Sequence, residues 1–277
     1  MRRASPPALA ALLAAALLAA PARAAGPHPL RGDDRTDLAV TGAAAGVWLL
    51  GEVLKPELAP SVCRFCKANA LDVWARDRLV LSDATLAARG SDVLAFALMP
   101  AAVTAHQLLA ARVAGDGGEG WRDLLYVAEA ASLSMAVNQV VKLAVGRQRP
   151  FVRYGNWAPG SREGDPDDNL SFYSGHSALA FSIASAAGTV STLRGYGSAP
   201  WVWAVGMTLA TGVGYLRMAG DKHWLTDVVV GAAVGGGVGA AVPLLLHGRE
   251  DRPAPGGGAS PAGARVVPLP MGVLVVW

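Results

Sequence analysis

Six apolar segments rich in alanine, glycine and valine dominate the chain, roughly at Leu38–Leu54, Val93–Val113, Leu124–Val145, Ser177–Leu193, Trp201–Met218 and Trp224–His247. Each is long enough for a buried or membrane helix, and strand-like alternation is nearly absent. The expectation is an all-α fold, a six-helix bundle embedded in a membrane. Small residues such as Gly231, Gly235, Gly236, Gly237 and Gly239 allow close helix packing and by themselves imply nothing more. Charged side chains collect at the segment ends. A basic residue deep in a membrane helix costs about 3 kcal/mol on insertion scales, so their placement asks for a reason.

Composition narrows the classes. Of 277 residues only 16% are charged and 52% are hydrophobic, whereas soluble domains carry about 25% charged residues. The net charge is +3 and no basic run is interleaved with aromatics, so a nucleic-acid partner is excluded. Arg2 and Arg3 precede an apolar stretch from Ala8 to Ala20 and the small-residue site Ala22-Arg23-Ala24. This reads as a signal peptide over 1–24; a first membrane anchor is the alternative, but the stretch is shorter than the roughly 20 residues a span needs. Residues 25–90 are expected to hold the first helix and a polar, amphipathic Cys-containing stretch. There Leu71, Trp74, Leu79 and Leu81 suggest an interfacial helix. The main helical domain is placed at 91–248, and 249–277 is read as a flexible Gly/Pro/Ala tail with a terminal strand over Val266–Trp277.

Cysteine occurs only as Cys63-Arg64-Phe65-Cys66. A βαβ context for a redox motif is missing, a second ligand pair for zinc is missing, and Lys67 stands where haem attachment needs histidine. A local disulfide in an exported protein is the expectation.

Three clusters carry the chemistry. Lys142 and Arg149 flank the end of the third segment, where two cations can converge on one phosphate and Pro150 stops the helix; alone they also read as snorkelling residues. Ser174-Gly175-His176 precedes the fourth segment, where free backbone amides can bind an anion and His176 can hand over a proton. Serine is equally an ordinary N-cap. Arg217, His223 and Asp227 form the third. On a helix, His223 and Asp227 share a face, so the carboxylate can fix the imidazole tautomer and leave the other nitrogen free to attack. A His–Asp helix cap beside an interfacial arginine is the plainer alternative. The loop Phe151–Tyr173, with Arg153, Asp165, Asp167 and Asp168, reads equally as a selectivity loop and as a solvated one. His28, His106 and His247 read as surface or packing residues.

In order, Lys-x6-Arg-Pro, Ser-Gly-His and Arg-x5-His-x3-Asp resemble the type 2 phosphatidic acid phosphatase superfamily, which also includes bacterial acid phosphatases and vanadium haloperoxidases. The resemblance covers Lys142 to Asp227 and implies a helical bundle of that type. It implies that Lys142, Arg149 and Arg217 hold phosphate, with Ser174 and Gly175 donating hydrogen bonds. His223 would form a phosphohistidine, oriented by Asp227, and His176 would be the general acid, with no metal and no cofactor. Tyr173 stands where the family usually has proline, and Leu216 where serine often precedes the arginine. The expected protein is a cell-envelope phosphatase acting on a lipid phosphate monoester or diphosphate, with its site facing the exported side and a membrane and a phosphorylated lipid as partners. A soluble periplasmic acid phosphatase, a haloperoxidase and a non-catalytic membrane scaffold are the competing readings. A cleaved signal followed by six full crossings would put all three clusters in the cytoplasm. The expectation is therefore that Leu38–Leu54 does not fully span or that the bundle lies wholly in the exported space.

Overall fold

The computed structural model describes residues 27–157 and 164–250, together with the backbone of 265–269 and 272–276. The proposed signal peptide and most of the Gly/Pro-rich tail lie outside these residues. Long helices run at α1 (Asp34–Val53), α4 (Ala84–Val113), α5 (Gly120–Val145), α7 (Gly175–Arg194), α8 (Ala199–Ala219) and α9 (Leu225–Leu246). Short helices are α2 (Lys55–Leu58), α3 (Ala70–Leu79) and α6 (Pro150–Tyr154). The terminal segment forms two antiparallel strands, β1 (Arg265–Leu269) and β2 (Gly272–Val276), in place of the single strand expected.

Helix boundaries follow local chemistry. Asp33, Asn69 and Asp83 cap α1, α3 and α4 by accepting the amides of Thr36, Asp72 and Leu86 at 2.9, 2.8 and 2.8 Å. Gly146 and Gly195 end α5 and α7 at φ +64° and +77°, a region costly for other residues. Within α4 a π turn at Leu94–Leu98 lies just ahead of Pro100, which has no amide to continue the regular ladder.

α7 is the central helix, buried along most of its length between α9, α8 and α5. Its closest neighbour is α9, where Gly231, Gly235 and Gly239 lie one turn apart. A Cβ at any of them would collide with the carbonyls of Ser174, Ala178 and Ser182 respectively. The small-residue stripe is therefore the α7–α9 seam. α4, α5 and α9 are long and apolar enough to cross a membrane.

Successive long helices alternate in direction. The C-terminal ends of α1, α5 and α8 meet the N-terminal ends of α4, α7 and α9 at one pole, as the contacts Lys55–Asp167, Arg217–Asp92 and Ser174–Asp227 show. The opposite pole is tied by Arg122–Asp34 and Arg194–Asp123. Cys63 and Cys66 are joined as a disulfide, in a loop that lies against Gly146 through the Arg64 amide at 2.9 Å.

The amphipathic stretch is helical as expected, but its polar face points inward. Asp72 is fully buried and Arg76 largely so, while Leu71 and Trp74 are exposed. Asp72 accepts from the amide and hydroxyl of Thr226 at 2.9 Å and from Arg147 at 2.6 Å. Arg76 makes a two-pronged pair with Asp221 at 2.8 and 2.7 Å. Two residues four apart on α3 thus clamp both sides of the 221–226 turn.

Candidate active site

All three sequence clusters meet at the pole reached by the ends of α5, α7, α8 and α9. His223 sits in the turn between α8 and α9 and is 3% exposed. Its Nδ1 lies 2.9 Å from the Ser171 carbonyl, which can only accept, so Nδ1 carries the proton and Nε2 presents a lone pair. Arg149 Nη1 stands 3.4 Å from that Nε2. Burial, followed by the nearby Arg149, Arg217 and Lys142, holds the imidazole pKa well below its usual value, so the ring is neutral.

Asp227 is fully buried at the start of α9, but its Oδ2 is 3.7 Å from His223 Nδ1, beyond hydrogen-bond reach. It accepts instead from Arg147, the Ser171 hydroxyl and the Trp224 amide. The tautomer-fixing contact expected of Asp227 thus falls to the Ser171 backbone, and Asp227 secures Ser171. The physical reason is simple: α9 begins at Leu225, so His223 precedes the helix and the four-residue spacing does not place the pair on one helical face.

The cations converge from three directions. Lys142 is buried in the last turn of α5, and its ammonium makes no hydrogen bond among the described residues. Arg149, 3% exposed, leads into α6 and gives Nη1 to the Lys222 carbonyl at 3.2 Å. Its Nε and Nη2 go to the carbonyl and carboxylate of Asp167 at 2.8 and 2.7 Å. Arg217, in the last turn of α8, reaches Ser91 and Asp92 with Nη1 at 3.2 Å, while its Nε is buried without a partner. A buried guanidinium N–H left open is costly unless an anion takes it.

Ser174 is the N-cap of α7. Its Oγ accepts from the amide and hydroxyl of Ser177 at 3.3 and 3.0 Å, and its own amide donates to the Asp227 carbonyl. The donors left at this helix start are the Gly175 and His176 amides, which have no acceptor one turn back, and the Ser174 hydroxyl proton, which neither accepted bond uses. Gly175 leaves room for these groups: a Cβ there would lie 2.9 Å from Asn138 Oδ1 and 3.2 Å from Lys142 Nζ and would press both side chains aside. His176 Nε2 is 2.7 Å from Asp92 Oδ1 and packs edge-on against Phe96. Burial and Arg217 push its imidazole down to about 4, against the opposing hydrogen bond to Asp92.

Several participants escaped the sequence reading. Asp92 bridges His176 and Arg217. It stands one residue before an apolar segment, so the criterion that singled out Lys142 applies to it as well. Asp167, in the acidic loop, pairs with Arg149 and with Lys55 at 3.1 Å. Burial acts to raise its pKa, but Arg149, Lys142 and Lys55 together outweigh that and lower it. Arg147, between the two expected cations, spans Asp72 and Asp227. His106 lies 2.9 Å from the Ser198 hydroxyl, far from this pole, and His247 is a buried packing residue beside Glu129.

The family model of the PAP2 superfamily matches residues 123–251, which contain every residue of the three clusters. Within the chain, 86 residues are 39% identical to the lipid A 1-phosphatase of Porphyromonas gingivalis, covering 31% of this chain and 18% of that protein. The chain thus spans under a fifth of the length of that relative. Among solved structures, the crystal structure of a transmembrane PAP2-type phosphatidylglycerolphosphate phosphatase from Bacillus subtilis is similar at 19% identity, with a TM-score of 0.45. That match covers 72% of this chain and 93% of the other. Asp92 and the α3 clamp, both N-terminal to the matched residues, belong to the same pole.

Proposed function

We propose that the chain is a phosphatase that hydrolyses a lipid phosphate monoester or diphosphate through a phosphohistidine on His223. The observation carrying this reading is the His223 ring itself, held by Ser171 with its Nε2 lone pair open beside Arg149, in the same pocket as Arg217 Nε. Lys142, Arg149, Arg217 and the Gly175 and His176 amides would hold the non-bridging oxygens and stabilise charge in the transition state. His223 Nε2 forms a bond to phosphorus as the ester P–O bond breaks, and His176 gives a proton to the leaving oxygen. Water then attacks phosphorus, His176 takes the water proton, and the N–P bond breaks. A bound phosphoryl group brings negative charge beside His176 and raises its proton affinity, which suits it to the acid role. The steps use cationic side chains throughout and route through no metal.

A lipid is favoured over a soluble ester by the surroundings of the pole. Leu58, Val62, Phe65, Leu71, Trp74 and Leu86 are all at least half exposed around a strongly charged pocket, an arrangement suited to a headgroup at an apolar boundary. The Cys63–Cys66 disulfide lies at this same pole, which favours an oxidising, exported side for the site. The test is phosphate release by purified protein in detergent with EDTA, using phosphatidate, phosphatidylglycerophosphate, undecaprenyl diphosphate, lipid A and a soluble aryl phosphate, with His223→Ala alongside. Turnover of a lipid that survives EDTA and disappears in the variant is the expected result. Equal inertness of both proteins, or turnover that persists in His223→Ala, would reject the reading.

A further inference from the structure

At the pole opposite the phosphate pocket, Asp37, Glu129 and His247 bring together three buried groups from three helices. Asp37 lies in the first turn of α1, Glu129 in the middle of α5, and His247 caps the C-terminal end of α9. One ligand-type atom from each lies within 4.8 Å of the others. The α9 helix, 22 residues long, separates this cluster from His223 by roughly 30 Å at about 1.5 Å per residue. The two sites are independent.

The cluster is not balanced by protein charges. Asp37 is 6% exposed, Glu129 and His247 1% each, and Asp37 Oδ2 has no hydrogen-bond partner. Among the described residues no lysine or arginine forms an ion pair with either carboxylate. His247 Nδ1 lies 3.2 Å from the Arg31 carbonyl, an acceptor, so the proton belongs on Nδ1. Its Nε2 then faces Glu129 Oε2 at 2.9 Å. With one proton on the ring, that contact sets two lone pairs against each other; with two, an imidazolium still faces two carboxylates in a dry site. Burying the excess negative charge is costly unless a carboxyl takes up a proton or a cation sits among the three groups.

We infer that Asp37, Glu129 and His247 bind a divalent transition cation, Zn²⁺ best of all, as a structural clamp on α1, α5 and α9. A cation accepts the Nε2 lone pair and both carboxylates at once, and a backbone acceptor on the other imidazole nitrogen is the usual support for a metal-bound histidine. Zinc–ligand bonds of about 2.0–2.2 Å in tetrahedral geometry put ligand atoms about 3.3 Å apart. That spacing falls between the 2.9 Å His247–Glu129 contact and the 4.8 Å limit of the cluster. Mixed imidazole and carboxylate donors suit zinc better than calcium or magnesium, which favour oxygen alone. Stacking of the Tyr126 ring on His247, at 3.8 Å between centroids, holds the imidazole plane.

The experiment uses the full chain without a histidine tag, purified in detergent and equilibrated against Zn²⁺, Mn²⁺, Ca²⁺ or Mg²⁺. Elemental analysis then gives the bound metal, and thermal unfolding is followed with and without EDTA. The expected result is stoichiometric zinc in wild type, a lower unfolding temperature after chelation that zinc restores, and about tenfold weaker zinc binding in Glu129→Gln and in Asp37→Asn. His106→Ala keeps the metal. Wild-type protein that takes up no stoichiometric metal, and whose unfolding ignores both EDTA and zinc, overturns the inference and leaves a cluster neutralised by protons. Uptake that is equal in wild type and Glu129→Gln overturns it as well, showing an adventitious ion. The wild-type measurements decide even where a variant fails to fold.

Discussion

The Oδ1 atom of Asp92 lies 2.7 Å from Nε2 of His176, and the same oxygen lies 3.2 Å from Nη1 of Arg217. One carboxylate therefore sets the position of the proposed general acid and of a proposed phosphate-binding arginine together. It also favours the protonated form of His176, against burial and Arg217. Replacing Asp92 with asparagine keeps a hydrogen-bonding group and removes the charge. The expected outcome is a fall in kcat of about 10–100-fold, with the alkaline limb of the pH–rate profile moved to lower pH because His176 loses its proton more readily. A rate profile of Asp92→Asn identical to wild type would show that Asp92 serves only the fold.

The neutral, buried His223 gives the pH dependence a definite sign. Its folded pKa is depressed, so in the interval just below the ordinary value of about 6.5 the unfolded chain binds more protons than the folded one. Stability is then full above about pH 6.5 and declines as pH falls below it. His223→Gln should flatten the unfolding temperature between about pH 6.5 and 5, relative to wild type. If His223 Nε2 is the attacking atom as proposed, the acid limb of kcat/KM, read on a lipid substrate, should also lie below about pH 6.5 because that nitrogen stays unprotonated there.

The poles of the bundle were legible in the chain because charged residues at the ends of apolar segments are rare and costly. Lys142, Arg149, His176, Arg217 and His223 all face one pocket region for that reason. What eluded the sequence depends on direction and distance. Helical spacing brought Asp227 to His223 on paper, but the helix starts only at Leu225, and the carboxylate reaches Ser171 instead. The amphipathicity of α3 was readable, while the side that faces inward was not: Asp72 and Arg76 point to the protein because their partners, Arg147, Thr226 and Asp221, arrive from much later in the chain. His247 carried no local motif, since Glu129 and Asp37 are distant in sequence.

Arg147 is the test of that α3 clamp. It lies between two carboxylates that are each fully buried, Asp72 and Asp227. Arg147→Met keeps much of the volume and strands both charges. Removing one partner of a buried ion pair typically costs about 3–5 kcal/mol, a large fraction of the roughly 5–15 kcal/mol that holds a domain folded. The expected outcome is a marked loss of stability in detergent unfolding, together with loss of turnover as Asp227 releases Ser171. Adding Asp72→Asn to Arg147→Met should recover part of the stability, since one stranded charge is then gone; a simple sum of two losses would show that the pair is not coupled.

Asp167 holds Arg149 through both its backbone carbonyl and its carboxylate, and Lys55 joins the same carboxylate. A phosphoryl group that takes two guanidinium hydrogen bonds from Arg149 has to compete with this internal anion. Asp167→Asn removes the competing charge and keeps the carbonyl contact that positions the arginine. Inorganic phosphate should then inhibit about 3–10-fold more strongly, about 1 kcal/mol for a charge-assisted hydrogen bond net of its competitor. The substrate KM should fall in parallel, and kcat should stay level or drop as product phosphate leaves more slowly. If phosphate inhibition is instead weakened, Asp167 is needed to hold Arg149 in place, and the carboxylate serves as a brace for the arginine.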